Sequence, residues 1–351
     1  MSTDTTKKNW IVPLVVALAV AAIGLICWIV QLTQGQTVLG VGHAVAWGVY
    51  IPAFFLLAGT GSGLLIFAGL IDFGLLKGLE DIRKGLLCAA IGCFVAAAFM
   101  IVVDLGRPER VFNMLLYMNL SSMFVWDFWF LTLSIVLAVI MLVMKKENKV
   151  LAGIAILAAT ALMIAEGWIL SVTPGNPLWE TSLIPVLFFV EGIIAALAAI
   201  LLLNRIGEGM ATPIRILAAV LPAILIFNLV EAISLGYLGS SEAAEHFAVL
   251  SGDLGVFYWS QMIVGVVVPF FMLLFLNKNA MMIKIAAGLV FLGILVAKIL
   301  LVVAGQAVTF TGTVESYAPS MVELGGVLGA LGIAVFLFIL LKNILPSGKA
   351  A

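Results

Sequence analysis

Residues 83–110 read RKGLLCAAIGCFVAAAFMIVVDLGRPER. An uncharged stretch, 85–103, lies between a basic pair, Arg83-Lys84, and a charged turn that holds Asp104, Arg107, Glu109 and Arg110. About 20 apolar residues suffice for a helix to cross the hydrocarbon core of a bilayer. Working outward, the same pattern recurs along the chain. Apolar runs at about 10–31, 44–75, 83–104, 123–144, 149–172, 182–204, 213–237, 256–276, 281–306 and 322–344 predict an all-α, polytopic transmembrane bundle of about ten helices. The composition agrees: 64% of residues are hydrophobic, 10% are charged, and the mean hydropathy is +1.27. Such values exclude an ordinary soluble domain.

The charges orient the bundle. Lys7, Lys8, Lys77, Arg83, Lys84, Lys145, Lys146, Lys149, Arg205, Arg215, Lys278, Lys284, Lys342 and Lys349 account for 14 of the 17 basic residues, and all fall at the termini or in alternate loops. The opposite loops hold only Arg107 and Arg110, while Lys298 lies within a helix. The positive-inside rule therefore predicts that both termini are cytoplasmic and that the 104–110 turn faces outward. Residues 1–351 read as one integral membrane domain, in which 40–175 form one helix bundle with an outer loop at 104–122 and 182–306 form a second. The lipid bilayer is the surrounding partner, and no basic run interleaved with aromatics points to nucleic acid.

Ionisable groups within spanning segments carry a cost of a few kcal/mol and ask for a partner or a role. Asp127, Glu166, Glu191, Glu231 and Lys298 all fall in the outer half on this topology, with Asp104 at a helix end, whereas Asp72 is near the cytoplasmic end of its helix. The set is read as a possible proton path, Asp72, Asp127, Glu191, Glu231 and Lys298; a structural ion pair of Lys298 with Glu231 or Glu191 is the competing account. His43, Trp47 and Tyr50 fall at i, i+4 and i+7, so a helix beginning near residue 44 would align them on one face. That face would suit a flat aromatic headgroup, or it would be an interfacial belt. Arg107 or Arg110 is expected to pair with Asp104 or Glu109, or to cap helix carbonyls. Gly59-Thr60-Gly61-Ser62-Gly63 has no preceding strand and reads as a close helix contact. The cysteines, Cys27, Cys88 and Cys93, show no metal spacing. The two histidines, His43 and His246, are too few for two bis-His haems, so no haem or metal is expected in this chain.

The sequence Asp104-Leu105-Gly106-Arg107-Pro108-Glu109-Arg110, followed by Asn113-Met114-Leu115-Leu116, Asn119-Leu120-Ser121-Ser122-Met123 and Trp126-Asp127-Phe128-Trp129, resembles the NrfD/PsrC family, the membrane subunits of polysulfide-reductase-like respiratory complexes. Trp47-Gly48 with Phe54-Phe55, Pro177-Leu178-Trp179 and Pro185-Val186-Leu187-Phe188-Phe189 add to the likeness, which covers about 40–190. The helix count resembles the longer branch of that family. The resemblance implies a subunit of the prokaryotic cytoplasmic membrane that binds menaquinone or another quinone near its outer face. It also implies a ferredoxin-like iron–sulfur partner and a molybdopterin catalytic subunit. Combined with the residues above, it marks His43, Trp47, Tyr50, Asp104 and Glu166 as quinone-site candidates, with Arg107, Glu109, Arg110 and Asn113 shaping the site loop. Two positions depart from the family pattern. Glu166-Gly167 stands where a Tyr often precedes a Gly, and Glu191 stands where a small residue is common. A proton- or ion-coupled secondary transporter is the alternative class; broken helices and an internal repeat would mark it.

Overall fold

The computed structural model describes residues 10–144, 147–173, 176–307 and 315–345; Lys7, Lys8, Lys145, Lys146 and Lys349 lie outside the described residues. Ten helices are long and apolar enough to cross a membrane, and no strand occurs among the described residues. They are α1 (Ile11–Gln34), α2 (Tyr50–Asp72), α3 (Arg83–Asp104), α4 (Met123–Val143), α5 (Lys149–Ser171), α6 (Ile184–Leu203), α7 (Ala211–Tyr237), α9 (Gly255–Phe275), α10 (Ala280–Ala307) and α11 (Met321–Ile344). A shorter helix, α8 (Ser241–Ser251), sits between α7 and α9. Polar residues ahead of the apolar runs start several helices. Asn148 accepts from the amides of Val150 and Leu151, Asn279 from those of Met281 and Met282, and Ser320 shares a capping box with Glu323.

Helix α2 is the axis of the first half. It is buried on all sides, with α3, α5 and α6 packed around it. Small residues permit this approach, because apolar side chains gain nothing from leaving lipid and close backbone contact must supply the attraction. The glycine-rich stretch acts in this way. A Cβ on Gly63 would lie 2.6 Å from the Gly192 carbonyl oxygen of α6, and one on Gly61 would lie 2.8 Å from the Phe94 ring of α3. The first and last helices pair similarly: a Cβ on Gly24 of α1 would lie 2.5 Å from the Gly329 Cα of α11. One continuous apolar core runs from Tyr50 of α2 to Ala330 of α11. Outward-facing Val12, Val16, Ile26 and Ile29 of α1 are exposed, as a lipid-facing surface requires.

Basic residues at one end of the bundle cap helix C-termini, whose last carbonyls lack partners within the helix. Arg83 donates to the Met141 carbonyl of α4 at 3.2 Å, Lys84 to the Lys342 carbonyl at the end of α11 at 2.7 Å, and Lys284 to the Leu202 carbonyl of α6 at 3.2 Å. Charges that would set orientation during insertion thus also close this end, here termed the basic face. The other end, the base-poor face, carries the 104–110 turn.

The start of the second helix differs from the sequence reading. Residues 40–49 are irregular and α2 begins at Tyr50, so His43, Trp47 and Tyr50 do not share a helical face. Distant side chains accept from amides of this irregular segment. Gln306 accepts from the amides of Ala46 and Trp47, both at 3.0 Å, Glu323 accepts from Gly40 at 2.6 Å, and the Tyr317 hydroxyl accepts from Val49 at 3.0 Å.

Candidate functional site at the base-poor face

Three groups of polar and aromatic side chains gather at this face. The first lies where α1, α2, α3 and α11 meet. Glu323 is fully buried and anchors it, accepting from Gly40, from Ser320 at 2.8 Å and from the Tyr317 hydroxyl at 2.6 Å. Burial and then donation to Glu323 hold the Tyr317 hydroxyl well above the ordinary phenol range, so it remains a donor. Gln31 donates to the Val103 carbonyl at 2.8 Å, and the Tyr50 hydroxyl makes 3.4 Å contacts with Gln31 Oε1 and the Val322 carbonyl. Asp104 is near enough to interact electrostatically with both Tyr50 and Glu323. Tyr50 is thus turned toward α1 and α11, with Asp104 within electrostatic range of it.

The second group is aromatic. Trp47 stacks on Trp179 with centroids 5.7 Å apart and planes 21° apart, and meets Phe124 edge-on at 6.3 Å. Trp179 is fixed by donation to the Leu301 carbonyl at 2.8 Å. His43 is exposed on the loop rather than inside this group. His246, on α8, is buried with Nδ1 2.8 Å from the Glu242 carbonyl.

The third group is a layer of ionisable side chains. Asp127 of α4, Glu166 of α5, Glu191 of α6, Glu231 of α7 and Lys298 of α10 lie about 6 to 14 Å along their helices from the base-poor ends, taking 1.5 Å per residue. Lys298 Nζ is 2.6 Å from Glu191 Oε2 and 2.8 Å from the centre of the Phe188 ring, so of the two carboxylates offered by the sequence the ion pair is with Glu191. Asp127 Oδ1, both oxygens of Glu166 and Trp129 Nε1 are buried with no hydrogen-bond partner among the described residues. Unsatisfied buried polar atoms cost about 1–3 kcal/mol each, so a cluster of them in a native fold calls for an occupant or a function. Two adjoining cavities, of about 50 Å³ and about 10 Å³, open beside Glu191, Asn228 and Gln261, the larger also reaching Glu231 and Tyr258.

Asp72 stands apart from this layer. Both its oxygens accept from Arg83, one from Nη2 at 2.6 Å and the other from Nε, at the basic face. About 33 Å of α2 separates it from Tyr50.

The outer turn also differs from expectation. Arg107, Glu109, Arg110 and Asn113 are exposed, and neither arginine forms an ion pair among the described residues. The turn is shaped by backbone instead. Gly106 has φ +58°, a left-handed conformation that glycine adopts without strain, and a Cβ there would strike the Gln36 side chain. A 3₁₀ turn, Pro108–Phe112, follows, and Phe112, Leu116, Tyr117 and Leu120 are exposed beyond it.

Sequence reasoning passed over Glu323, Tyr317 and Gln306, and met Trp179 only within the Pro177-Leu178-Trp179 likeness. Only Glu323 had a local signal, the Ser320-x-x-Glu323 capping box. The others act through contacts more than a hundred residues away.

Ten apolar helices with a titratable layer beneath one face define a multi-pass membrane protein. The family model described as polysulphide reductase, NrfD, matches residues 37–310. The chain belongs to this family, as the Asp104–Arg110 turn and its flanking residues suggested. Among curated relatives, the Hdr-like menaquinol oxidoreductase integral membrane subunit of Archaeoglobus fulgidus is 26% identical over 93% of this chain and 90% of its own length. A selenate reductase subunit of Mesobacillus selenatarsenatis is 20% identical over 93% of this chain and 92% of its length. A polysulfide reductase chain from Wolinella succinogenes is 28% identical over 48% of this chain and 62% of its length.

Proposed function

We propose that this chain is the quinol/quinone-reactive membrane subunit of a respiratory oxidoreductase in a prokaryotic cytoplasmic membrane, with its base-poor face outward and both termini cytoplasmic. One observation carries the reading: in a member of this family, partnerless buried carboxylates, Asp127 and Glu166, lie at the base-poor ends of α4 and α5, the end at which Phe124 of α4 meets the Trp47–Trp179 stack. Unpaired acceptors and the indole N–H of Trp129 fit the carbonyl and hydroxyl oxygens of a menaquinone-type headgroup, and the aromatic rings offer it a flat surface. The 40–175 bundle would hold this site under the 104–122 segment, and the 182–306 bundle would serve proton movement.

Quinol oxidation yields two electrons and two protons. Glu166 is the proposed acceptor for one proton, and Asp127 or Asp104 for the other; positioned bases of this kind contribute about 10²–10⁴-fold to rate. His43 would exchange protons with solvent from its exposed loop, while Tyr50 would hold Asp104 in place. Glu323 fixes the loop that carries Trp47 and is a positioning residue. The electrons would pass to a ferredoxin-like iron–sulfur subunit docked on the outer turn, and from it to a molybdopterin catalytic subunit. Exposed Arg107 and Arg110 beside Phe112, Leu116 and Tyr117 provide charge and apolar area for that contact.

The test is quinol-dependent reduction in membranes where assembly of the complex is verified, with Glu166→Gln, Asp104→Asn and His43→Ala made singly. Loss of turnover in the first two, with weaker binding of a quinone analogue, is the expected result. Normal turnover and affinity in all three would remove the site.

A further inference from the structure

The α7–α10 half contains a feature that the quinone reading does not use. Three helices there contain π turns: Ser234–Leu238 closes α7, while Ile263–Val267 and Leu300–Ala304 lie inside α9 and α10. Each turn falls within three residues of a polar side chain of one cluster: Glu231, Gln261 and Lys298. Single π turns inside α-helices recur at functional sites, because they release backbone groups and shift side chains around the axis. The cavity of about 50 Å³ borders the turns of α7 and α10 through Leu235, Leu300 and Leu301, and its polar lining is Glu191, Asn228, Glu231, Tyr258 and Gln261. A water needs roughly 10–15 Å³ by this measure and two to four polar partners, so the chamber has room for several waters and the groups to hold them.

Charge balance makes a demand on this region. The layer holds four carboxyl groups, Asp127, Glu166, Glu191 and Glu231, and among the described residues one ammonium, that of Lys298, which is paired with Glu191. Glu191 and Lys298 neutralise one another. Three carboxyl groups remain with no paired cation among the described residues, and ionising them together inside the membrane would be costly. The Glu231 carboxyl group makes no hydrogen bond or ion pair among the described residues and borders the chamber. The titratable groups facing it are Glu191 from α6, Tyr258 from α9 and Lys298 from α10; α8 and the segment before α6 contribute Leu250 and Leu178. Lys298 in turn interacts with Glu166 as well as with Glu191 and Glu231, and Glu166 interacts with Asp127.

We propose that Glu231 is a proton-holding site in a hydrated chamber, joined sideways through Lys298 to Glu166 and Asp127, so that protons travel across the bundle in one layer before they cross it in depth. In one transfer the Lys298 ammonium gives a proton to the Glu231 carboxylate and is reprotonated from the Glu166 carboxylic acid. Glu166 ends ionised, Glu231 ends protonated and Lys298 is unchanged. Glu191 holds the ammonium between turns, and the Phe188 ring beneath it favours the charged form. The proposal concerns the protonation of these groups whether or not a quinone supplies the protons.

Infrared spectroscopy of the purified complex in lipid nanodiscs tests it without any turnover. The wild type is expected to show a protonated-carboxyl C=O band that is lost in Glu231→Gln, restored at a shifted position in Glu231→Asp, and moved by deuterium oxide within minutes. Glu166→Gln and the charge-paired double variant Glu191→Gln/Lys298→Met are expected to shift the pH midpoint of that band by half a unit or more. The double variant avoids leaving an unpaired buried charge that would unfold the protein. Absence of a Glu231 band, or one that resists exchange for hours, would overturn the hydrated site. A midpoint unchanged in both coupling variants would overturn the sideways link. Quinol turnover that survives Glu166→Gln, with the band and its coupling intact, would sink the quinone reading alone.

Discussion

The two ends of the bundle treat charge in opposite ways. At the basic face, Arg83 holds both oxygens of Asp72 and caps α4, Lys84 caps α11, and Lys284 caps α6. At the base-poor face, Glu166 and Asp127 are buried without partners among the described residues, and Arg107 and Arg110 are exposed. Ionisable groups at the first end are spent on architecture. At the second, Glu323 and the Glu191–Lys298 pair are structural as well, whereas the carboxyls of Asp127 and Glu166 are put to no such use. The contrast separates residues whose loss should unfold the protein from residues whose loss should silence it.

The largest effect that would sharpen this contrast is on stability. Arg83→Met leaves Asp72 buried and unpaired, and removal of one partner of such a pair costs about 3–5 kcal/mol. Loss of the folded complex, or a steep fall in thermal midpoint in nanodiscs, is expected; an unchanged midpoint would break the comparison. Glu166→Gln is the counterpart. Activity should fall about 10²-fold or more, while the thermal midpoint stays level or rises because an uncompensated carboxyl has been removed. Glu323→Gln should fall between the two. It weakens three acceptor contacts without emptying the space, lowering quinone-analogue affinity several-fold through the Trp47 loop and stability by about 1–3 kcal/mol. The smallest effect concerns Tyr317. Its phenol is held protonated in the fold, so the stabilising contribution is whole below the ordinary tyrosine value near pH 10 and is lost as pH rises above it. Alkaline unfolding scans should therefore show a shallower decline in Tyr317→Phe than in the wild type.

Most of the fold was legible because hydropathy and charge act over one helix length at a time. Ten spans, the alternation of basic loops and the close contact at Gly59–Gly63 follow from local pattern and were all found. The site was less legible because its decisions are taken across the bundle. Whether α2 starts at residue 44 or 50 depends on Gln306 and Glu323, the latter 283 positions from its partner Gly40. The choice of Glu191 over Glu231 for Lys298 depends on how α6 and α10 rotate against each other. The expected arginine–carboxylate pairs at 104–110 fail because Gly106 turns the backbone and leaves both guanidinium groups outside. No propensity marks the three π turns.

The capping glutamate of α11 also has a bearing on biogenesis. A ribosome releases the segment 35–49 long before it makes residue 323, and until then the Gly40 amide lacks its acceptor. The loop that carries Trp47 therefore takes its final shape only once the last span has threaded into the bilayer against α1. On the proposed reading, the pocket beside Trp47 would thus be completed only when the last span arrives.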